Sequence, residues 1–346
     1  MCKVKAVTLS GFKRKIIPKL VLPSAKTQKL AETSSPSSTV EEKKKEQPEV
    51  INEENVIVIS GSTQPLTKIN TPQKPVLTEE QKQQRIDTLL IKATQLGHVE
   101  KVKDLIENHK ANINATSVGT SVLHYAVFYN RPEIVNYLME CGVDFNFVNH
   151  SGNTALACAV EKGNTDIAWI LLDQADPSIP DKLSLTPLHK AVKMDNFAMV
   201  ETLLSINTDG EWTKVNAVTT DGFTPLYLAA SKGNVEIVKL LHEWKANLNI
   251  PSKALNTPLQ RAIFGNHVAV ATYLVDNGAD VDYKDVAGRT ALDIAIYNGF
   301  DALVKLLLDH NAKFDPTSAI TASMIKRASV KGFKACLDLL TPPLSI

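Results

Sequence analysis

Apolar residues recur along the chain in a pattern that changes in kind near residue 80. The first ~80 residues are rich in Lys, Glu, Ser, Thr, Pro and Gln, contain one Phe (Phe12) and show no sustained apolar period. Such a segment buries too little apolar surface to offset the conformational entropy that is lost on folding. We therefore predict a disordered tail over residues 1–79 and a folded domain over residues 80–346, with a helix start at Thr78.

From residue 88 onward the chain repeats itself. A Thr or Ser recurs with an apolar residue two positions later and an Ala three positions after that, at spacings of 33, 33, 32, 38, 33, 33 and 33 residues. These anchors define repeats 1 to 8 and are Thr88, Ser121, Thr154, Thr186, Thr224, Thr257, Thr290 and Ser323. Self-similarity at a fixed period of this length predicts a solenoid of stacked units.

Each repeat predicts two short helices. The anchor hydroxyl can accept a hydrogen bond from a backbone N–H that lacks a partner in the first turn of the first helix. A Gly or Asn four residues after the repeat Ala predicts a left-handed turn that ends this helix. These helix-ending residues are Gly97, Asn130, Gly163, Gly233, Asn266, Gly299 and Gly332. A second apolar helix follows, as over residues 235–241, and each repeat must stack on its neighbours to cover its apolar flank.

The two most regular repeats read Thr-Pro-Leu-His-Lys-Ala over residues 186–191 and Thr-Pro-Leu-Tyr-Leu-Ala over residues 224–229. These residues resemble the T-P-L-H-x-A pattern of the ankyrin repeat, whose unit is about 33 residues long. The resemblance covers roughly residues 88–340. It implies an all-α fold, a solenoid of paired antiparallel helices with short hairpin loops. Ankyrin arrays serve many unrelated pathways, so the resemblance does not name a biological role.

Three repeats depart from this pattern. Repeat 1 lacks Pro and His and carries charged residues such as Lys101 on its outer side, as an N-terminal cap does. Repeat 8 has Met324 where Pro would stand, which indicates a C-terminal cap. Repeat 4 is longer by about five residues around residues 207–214, which include Trp212. We expect an enlarged loop there, either a functional protrusion or a neutral variant that lies on the array.

Composition and charge narrow the classes of function. Hydrophobic residues make up 44% of the chain and charged residues 22%, which fits a soluble protein with a substantial core. The formal net charge is +1 and no apolar run approaches a membrane-spanning length, so we expect no nucleic acid, no membrane insertion and a monomer. The four cysteines are too scattered for zinc or a disulfide framework. We expect a cytoplasmic protein, with the nucleus, or a mitochondrial transit peptide within residues 1–30, as alternatives.

The sequence carries no catalytic signature. It contains no G-x-G-x-x-G, Walker loop, H-E-x-x-H, G-x-S-x-G or kinase pattern. His124 and His189 occupy the His position of the repeat, where the resemblance implies a ring that bridges backbone groups of neighbouring turns. Asp280 and Asp282 lie in the hairpin pattern between repeats, and we interpret them as turn residues, not metal ligands. We therefore expect no enzyme activity, no cofactor and no metal.

In the ankyrin family, partners usually bind the concave face, which is made from hairpin tips and exposed positions of the first helices. Carried over position by position, this resemblance implies a face that includes Tyr125, Phe128, Tyr129, Lys162, Leu185, Lys190, Lys193, Met194, Phe223, Lys232, Arg261, Phe264, Arg289 and Tyr297. Aromatic and soft apolar residues recur there, as expected of interface anchors, and the charged residues are nearly all basic. A protein partner with an acidic and apolar segment would suit this surface. The alternative is that Phe128, Met194 and Phe264 are partly buried between repeats.

We predict a non-catalytic adaptor or scaffold, whose flexible tail is open to regulation by phosphorylation. Within this class a host-cell adaptor, an inhibitor of a transcription factor and a secreted effector of an intracellular microbe stay open. The alternative class is a structural linker between membrane or cytoskeletal proteins, which would bind several partners at once along a long surface.

Two stretches of the tail resemble recognition motifs. Residues 13–22 resemble a MAP-kinase docking motif, with Ser35 and Thr71 before Pro as candidate phosphosites, and the alternatives are a solvated basic patch or a nuclear-import cluster. Residues 56–60 follow two Glu and resemble a SUMO-interaction motif, which adds a strand to the edge of a partner's sheet. The alternative is a run that packs on the array or has no role.

Overall fold

The computed structural model describes residues 77–206 and 214–340. Within these ranges the only strand pairing is the short antiparallel pair of β1 (Thr116–Ser117) and β2 (Thr120–Ser121). The helices of the described ranges are, in chain order, α1 (Glu79–Leu96), α2 (Val99–Glu107), α3 (Val122–Phe128), α4 (Pro132–Glu140), α5 (Ala155–Lys162), α6 (Thr165–Leu171), α7 (Pro187–Lys193), α8 (Phe197–Ser205), α9 (Pro225–Lys232), α10 (Val235–Glu243), α11 (Pro258–Phe264), α12 (Val268–Asp276), α13 (Ala291–Asn298), α14 (Asp301–Asp309), α15 (Ala319–Lys331) and α16 (Lys334–Asp338). The prediction of an all-α fold is confirmed.

Several sequence predictions fall on parts of the chain that the structure does not describe. The two motif-like stretches at residues 13–22 and 56–60, Ser35, Thr71 and the inserted Trp212 all lie outside the described residues. Their predicted roles stay predictions.

The helices pack in consecutive pairs, one pair per repeat, so that odd-numbered helices are first helices and even-numbered helices are second helices. Each first helix also packs against the first helix of the next repeat, and second helices contact one another along most of the array. The Leu two positions after each anchor of repeats 1 to 7 is at most 1% exposed, and the repeat Ala is at most 5% exposed. Stacking therefore produces one continuous core, as the bare apolar flank of a single repeat requires.

The anchor residues of the six internal repeats cap the first helices, as the sequence predicts. Each side-chain oxygen accepts a hydrogen bond from the backbone N–H three residues further on. These capping residues are Ser121, Thr154, Thr186, Thr224, Thr257 and Thr290.

The anchors of the two terminal repeats do not cap a helix, so this part of the prediction is wrong. Thr88 lies inside α1, where its hydroxyl donates to a backbone carbonyl one turn earlier (2.7 Å), and Ser323 lies inside α15. The first helix starts instead after Thr78, which forms a capping box with Gln81, and α15 starts after Ser318. The five residues before each of these two anchors contain neither Gly nor Pro, whereas a Gly stands two positions before the anchors of repeats 2, 3, 5 and 7, so a helix can extend past Thr88 and Ser323.

The predicted helix-ending residues all adopt the left-handed conformation. Their φ angles lie between 52° and 80°, at Gly97, Asn130, Gly163, Gly233, Asn266, Gly299 and Gly332. Repeat 4 has neither Gly nor Asn at this position, and Asp195 with φ 58° replaces them. Asp tolerates this region better than most residues, because its short polar side chain can hydrogen-bond locally.

A ladder of side-chain oxygens joins the hairpins of successive repeats. The Asn249 Oδ1 atom accepts the Asp280 backbone N–H at 2.9 Å, and the Asp282 carboxylate accepts the Lys313 backbone N–H at 2.8 Å one repeat later. Asp280 in turn accepts the backbone N–H of Asp282 at 3.0 Å. The interpretation of these two aspartates as turn residues is therefore confirmed.

Two glycines at hairpins give a matched test of how tightly the repeats stack. Gly222 has φ 80°, and a Cβ atom there would lie 2.8 Å from the backbone nitrogen of Lys253 in the next hairpin. Gly142 has nearly the same φ (79°), but a Cβ atom there would meet nothing within 4 Å. We expect Gly142→Ala to cost about 1 kcal/mol of stability from left-handed strain alone. Gly222→Ala should cost at least about 1 kcal/mol more, because backbone atoms of the next hairpin must move.

Urea unfolding followed by far-ultraviolet circular dichroism compares the two variants directly. Equal losses at Gly142 and Gly222 would contradict the close approach of the hairpins.

Candidate protein-binding surface

One face of the array is made from the exposed positions of the first helices and from the hairpin tips between repeats, and we call it the first-helix face. Caps at both ends fix the first helices of repeats 1 to 7, and the residues four, seven and eight positions after an anchor lie next to those of the neighbouring repeat. The predicted site residues all belong to this face. Their burial and contacts differ along it.

Repeats 2 and 3 form an open, largely apolar depression of about 550 Å³ on this face. Phe128 is 57% exposed and Tyr129 is 42% exposed, and their ring centroids lie 5.1 Å apart in an edge-to-face arrangement. The half-buried Tyr125 donates its hydroxyl to the backbone oxygen of Ser117 (3.4 Å). The Lys162 Nζ atom lies 3.8 Å from the centroid of the Phe128 ring, in a cation–π contact.

Four residues that the sequence did not single out also line this depression. They are Thr120, Asn149, His150 and Cys158. Thr120, Asn149 and His150 belong to hairpins. These hairpins lie beside α3 and α5 only because neighbouring repeats stack, so the local sequence does not predict that the three residues line the depression. Burial raises the pKa of the Cys158 thiol to about 11, which keeps it protonated and unreactive near neutral pH.

A second depression of about 290 Å³ lies between repeats 3 and 4. Its apolar lining includes the half-buried Leu185 and the exposed Met194, and its basic lining includes Lys182 and Lys193. Lys182 was not predicted from the sequence. It lies on a hairpin tip at the position that corresponds to His150 one repeat earlier.

Lys190 requires a correction. The sequence predicted an open cation, but the residue is only 5% exposed, and its ammonium contacts Asp181 at 2.9 Å and Glu161 at 3.1 Å. Burial alone would lower the pKa of Lys190, but the bonds to the two carboxylates outweigh burial and raise it. Burial likewise opposes ionisation of Asp181, yet Lys190 and two backbone N–H groups hold the pKa of this carboxyl below its usual value. The charge of Lys190 therefore joins repeats 3 and 4.

The remaining predicted residues lie on repeats 5 to 7. Phe223 stacks on Tyr227 with centroids 4.6 Å apart, and Lys232 is exposed. Arg289 is held by Asp285, with Nη2 2.7 Å from the carboxylate. Arg261, Phe264 and Arg289 line a smaller depression of about 120 Å³.

The structure decides one alternative that the sequence left open. Phe128, Met194 and Phe264 are 57%, 50% and 57% exposed. They are surface residues of the first-helix face and are not buried between repeats.

The two histidines at the repeat position have a structural role, as the resemblance implied. The His124 ring joins Ser121 (2.8 Å) to the backbone oxygen of Asn153 (2.9 Å), and the His189 ring joins Thr186 (2.9 Å) to the next hairpin in the same way. Burial lowers the pKa of both rings, that of His189 to about 4. In repeat 6 the side chain of Gln260 takes this position, which sequence reasoning did not identify.

Within the described ranges, no group of three or more His, Cys, Asp or Glu side chains is arranged to hold a metal ion. In the same ranges no helix has both the length and the apolar character that a bilayer span requires.

Comparisons with known proteins give a consistent result. The family described as ankyrin repeats (3 copies) matches residues 72–149, 133–214, 209–285 and 255–318. The palmitoyltransferase AKR1 of Lachancea kluyveri is 31% identical over 189 residues, which are 52% of this chain and 26% of that protein. The putative ankyrin repeat protein FPV223 of fowlpox virus is 31% identical over 129 residues, which are 37% of this chain and 87% of that protein. This chain thus spans about a quarter of the palmitoyltransferase and most of the viral protein.

A solved structure is similar as well. The crystal structure of the ankyrin repeat domain of Bcl-3, described as a unique member of the IkappaB protein family, aligns with a TM-score of 0.56 and 25% sequence identity. The alignment covers 63% of this chain and 97% of that chain.

Proposed function

The chain belongs to the ankyrin-repeat family, and from this premise we propose that it is a non-catalytic adaptor whose first-helix face binds a protein partner through an acidic and apolar segment. Ankyrin arrays bind proteins on extended surfaces that neighbouring repeats build together. The proposal includes a cytoplasmic location, with the nucleus as the alternative compartment.

The observation that carries the proposal is the aromatic depression of repeats 2 and 3. Phe128 and Tyr129 are large, rigid and exposed, and they flank an open cavity of about 550 Å³. Aromatic side chains in such a setting dominate the energy of protein interfaces, because their burial removes much apolar area from water at a small cost in conformational entropy. Exposed aromatic side chains that already contact each other lose little freedom when a partner covers them.

The exposed cations of repeats 3 to 5 favour an acidic partner. Lys162, Lys182, Lys193 and Lys232 are exposed and form no ion pair with any described residue. Glu161 and Asp181 both contact Lys190. On the described first-helix face of repeats 4 and 5, Asp195 and Asp221 are the exposed carboxylates that form no ion pair. At repeats 3 to 5 of this face, four cations without an ion pair therefore stand against two such carboxylates, an excess of positive charge that suits Asp and Glu side chains.

An enzymatic role has weaker support. The palmitoyltransferase is similar over only 26% of its length, so its activity is not transferred to this chain. The Cys158 thiol, which lines the depression of repeats 2 and 3, has a raised pKa and so is not an activated nucleophile.

Affinity capture from cell lysate tests the proposal. We expect the full chain to capture a protein partner, and Phe128→Ala with Tyr129→Ala to reduce its recovery about tenfold or more, because both residues supply buried apolar area in the complex. Trp169→Ala is the matched control, since Trp169 is 49% exposed on the second helix of repeat 3 and lies outside the depressions. Both variants should keep the unfolding midpoint of the unchanged chain. A partner that is retained by the double variant, or lost equally with Trp169→Ala, would refute this use of the first-helix face.

A further inference from the structure

Three junctions between first helices are closed by a cation. At each of them, the residue four positions after the anchor reaches back to the residue seven positions after the preceding anchor. The pairs are Lys190 with Glu161 (Nζ–Oε2 3.1 Å), Arg261 with Ser231 (Nε–Oγ 3.0 Å) and Arg327 with Tyr297 (Cζ to ring centroid 3.8 Å). These contacts join repeat 3 to 4, repeat 5 to 6 and repeat 7 to 8.

The junctions in between have no such cation. At the junctions of repeats 2 and 3, 4 and 5, and 6 and 7, the later repeat has an apolar residue four positions after its anchor, namely Cys158, Leu228 and Ile294. We call these the open junctions and the other three the closed junctions. From repeat 2 to repeat 8, open and closed junctions alternate, so the first-helix face has a period of two repeats.

Each open junction carries an exposed apolar side chain seven or eight positions after the anchor of its first repeat. Phe128 lies at the junction of repeats 2 and 3, Met194 at that of repeats 4 and 5, and Phe264 at that of repeats 6 and 7. At the closed junction of repeats 7 and 8 the corresponding ring, Tyr297, lies under Arg327 and is half-buried. Phe128, in contrast, keeps 57% exposure although the Lys162 Nζ atom lies 3.8 Å from its ring centroid. The alternation therefore decides which apolar residues stay available for a ligand.

Two cations, Lys162 and Lys232, lie between these apolar points, and a third, Lys193, lies beside Met194. Lys162, Lys193 and Lys232 belong to the ends of the first helices of three successive repeats, and all are exposed. Two exposed carboxylates on the described part of this face do not contact Lys190: Asp195, which accepts a hydrogen bond from Asn234 (2.7 Å), and Asp221, at the hairpin tip before repeat 5. The stretch from Phe128 to Phe264 thus reads apolar, basic, apolar, basic, apolar.

The distance between successive open junctions predicts how far apart the apolar residues of a bound peptide are. Packed helices lie about 8–10 Å apart, so open junctions two repeats apart are separated by roughly 20 Å. An extended peptide advances about 3.3 Å per residue, so about six residues connect one apolar point to the next.

From this arrangement, and resting on the proposed function, we infer that the first-helix face binds an extended acidic segment whose apolar residues occupy the open junctions. The segment has apolar side chains about six residues apart, with Asp or Glu between them facing Lys162, Lys193 and Lys232. Aromatic residues at closed junctions take no part in its binding.

Selection from a phage-displayed library of random peptides tests the inference on the full chain. The peptides must be long enough to span the three open junctions. We expect enriched sequences to carry Asp and Glu between apolar residues about six positions apart. One enriched peptide, labelled with a fluorophore, then reports affinity by anisotropy.

Two substitutions at the same position of neighbouring repeats form the decisive pair. Phe264→Ala at an open junction should weaken peptide binding about tenfold or more, whereas Tyr297→Ala at a closed junction should change it less than about twofold. Lys193→Glu should also weaken binding about tenfold or more, because it reverses the charge that an acidic residue faces. Circular dichroism establishes that the three variants keep the fold.

Each other outcome contradicts the inference. Equal losses for Phe264→Ala and Tyr297→Ala would overturn the alternation of junctions. Enriched peptides without acidic residues, or no enrichment, would overturn the inferred ligand. The proposed function is tested separately by partner capture from lysate. If capture still depends on Phe128 and Tyr129, the proposed function holds even when the peptide inference fails. If capture does not depend on these two residues, the proposed function is refuted whatever the peptides show.

Discussion

Replacement of Lys190 by Ala is expected to lower the free energy of unfolding by roughly 3–5 kcal/mol, the cost of breaking a buried ion pair by removing one partner. The Lys190 side chain is 6% exposed and that of Asp181 is 9% exposed. Without the ammonium, the Asp181 carboxylate would remain buried with only backbone N–H donors from Leu183 and Leu185. Urea unfolding of the full chain measures the loss.

A surface lysine provides the matched control. Lys239 pairs with Glu236 at 3.0 Å, nearly the same distance as in the buried pair, but the two side chains are 43% and 64% exposed to solvent. Water and salt screen such a pair, so Lys239→Ala should cost less than about 1 kcal/mol. A double variant, Lys190→Met with Asp181→Asn, removes both buried charges and should recover a large part of the loss. Equal effects at Lys190 and Lys239 would refute the buried pair.

Replacement of His189 by Gln is expected to leave the free energy of unfolding at neutral pH nearly unchanged. In acid, the variant should lose about 3 kcal/mol less of this free energy than the unchanged chain. Burial lowers the pKa of His189 in the folded chain to about 4, whereas an unfolded His titrates near about 6.5. Because the folded state favours the neutral ring, this contribution to stability is complete above about pH 6.5 and is lost as the pH falls towards 4. The measurement is urea unfolding at a series of pH values between these limits.

The choice of Gln follows from repeat 6. Gln260 accepts the backbone N–H of Thr257 at 3.0 Å and donates to the carbonyl oxygen of Arg289 at 3.0 Å. His189 makes the equivalent bonds to Thr186 and Phe223, so an amide that cannot titrate should replace the ring.

In the converse variant, Gln260→His, the free energy of unfolding should fall more steeply than in the unchanged chain as the pH decreases from about 6.5 to about 4. If neither substitution changed the dependence on pH, buried rings at this position would not be the source of acid sensitivity.

Much of the fold follows from short-range rules that can be applied to the sequence directly. A hydroxyl at the anchor caps a helix, a Gly or Asn four residues after the repeat Ala ends it, and the same Leu and Ala positions enter the core in each internal repeat. Each rule involves residues only a few positions apart in the sequence. Eight similar repeats show the same pattern, so each rule can be checked at several positions. The same rules failed at Thr88 and Ser323, which lie inside longer helices and have no Gly or Pro among the five residues before them.

The sequence by itself therefore determined the repeat, the helix ends, the core positions and the face on which exposed aromatic and basic residues accumulate. Only the tertiary structure decided which of those residues remain available. Lys190 is buried against Asp181 and Glu161, Tyr297 is covered by Arg327, and Phe128 and Phe264 stay exposed. Each of these outcomes depends on a side chain about one repeat away. A residue's exposure on a stacked array is set by its neighbour's side chain, and that contact is formed only when the two repeats pack together.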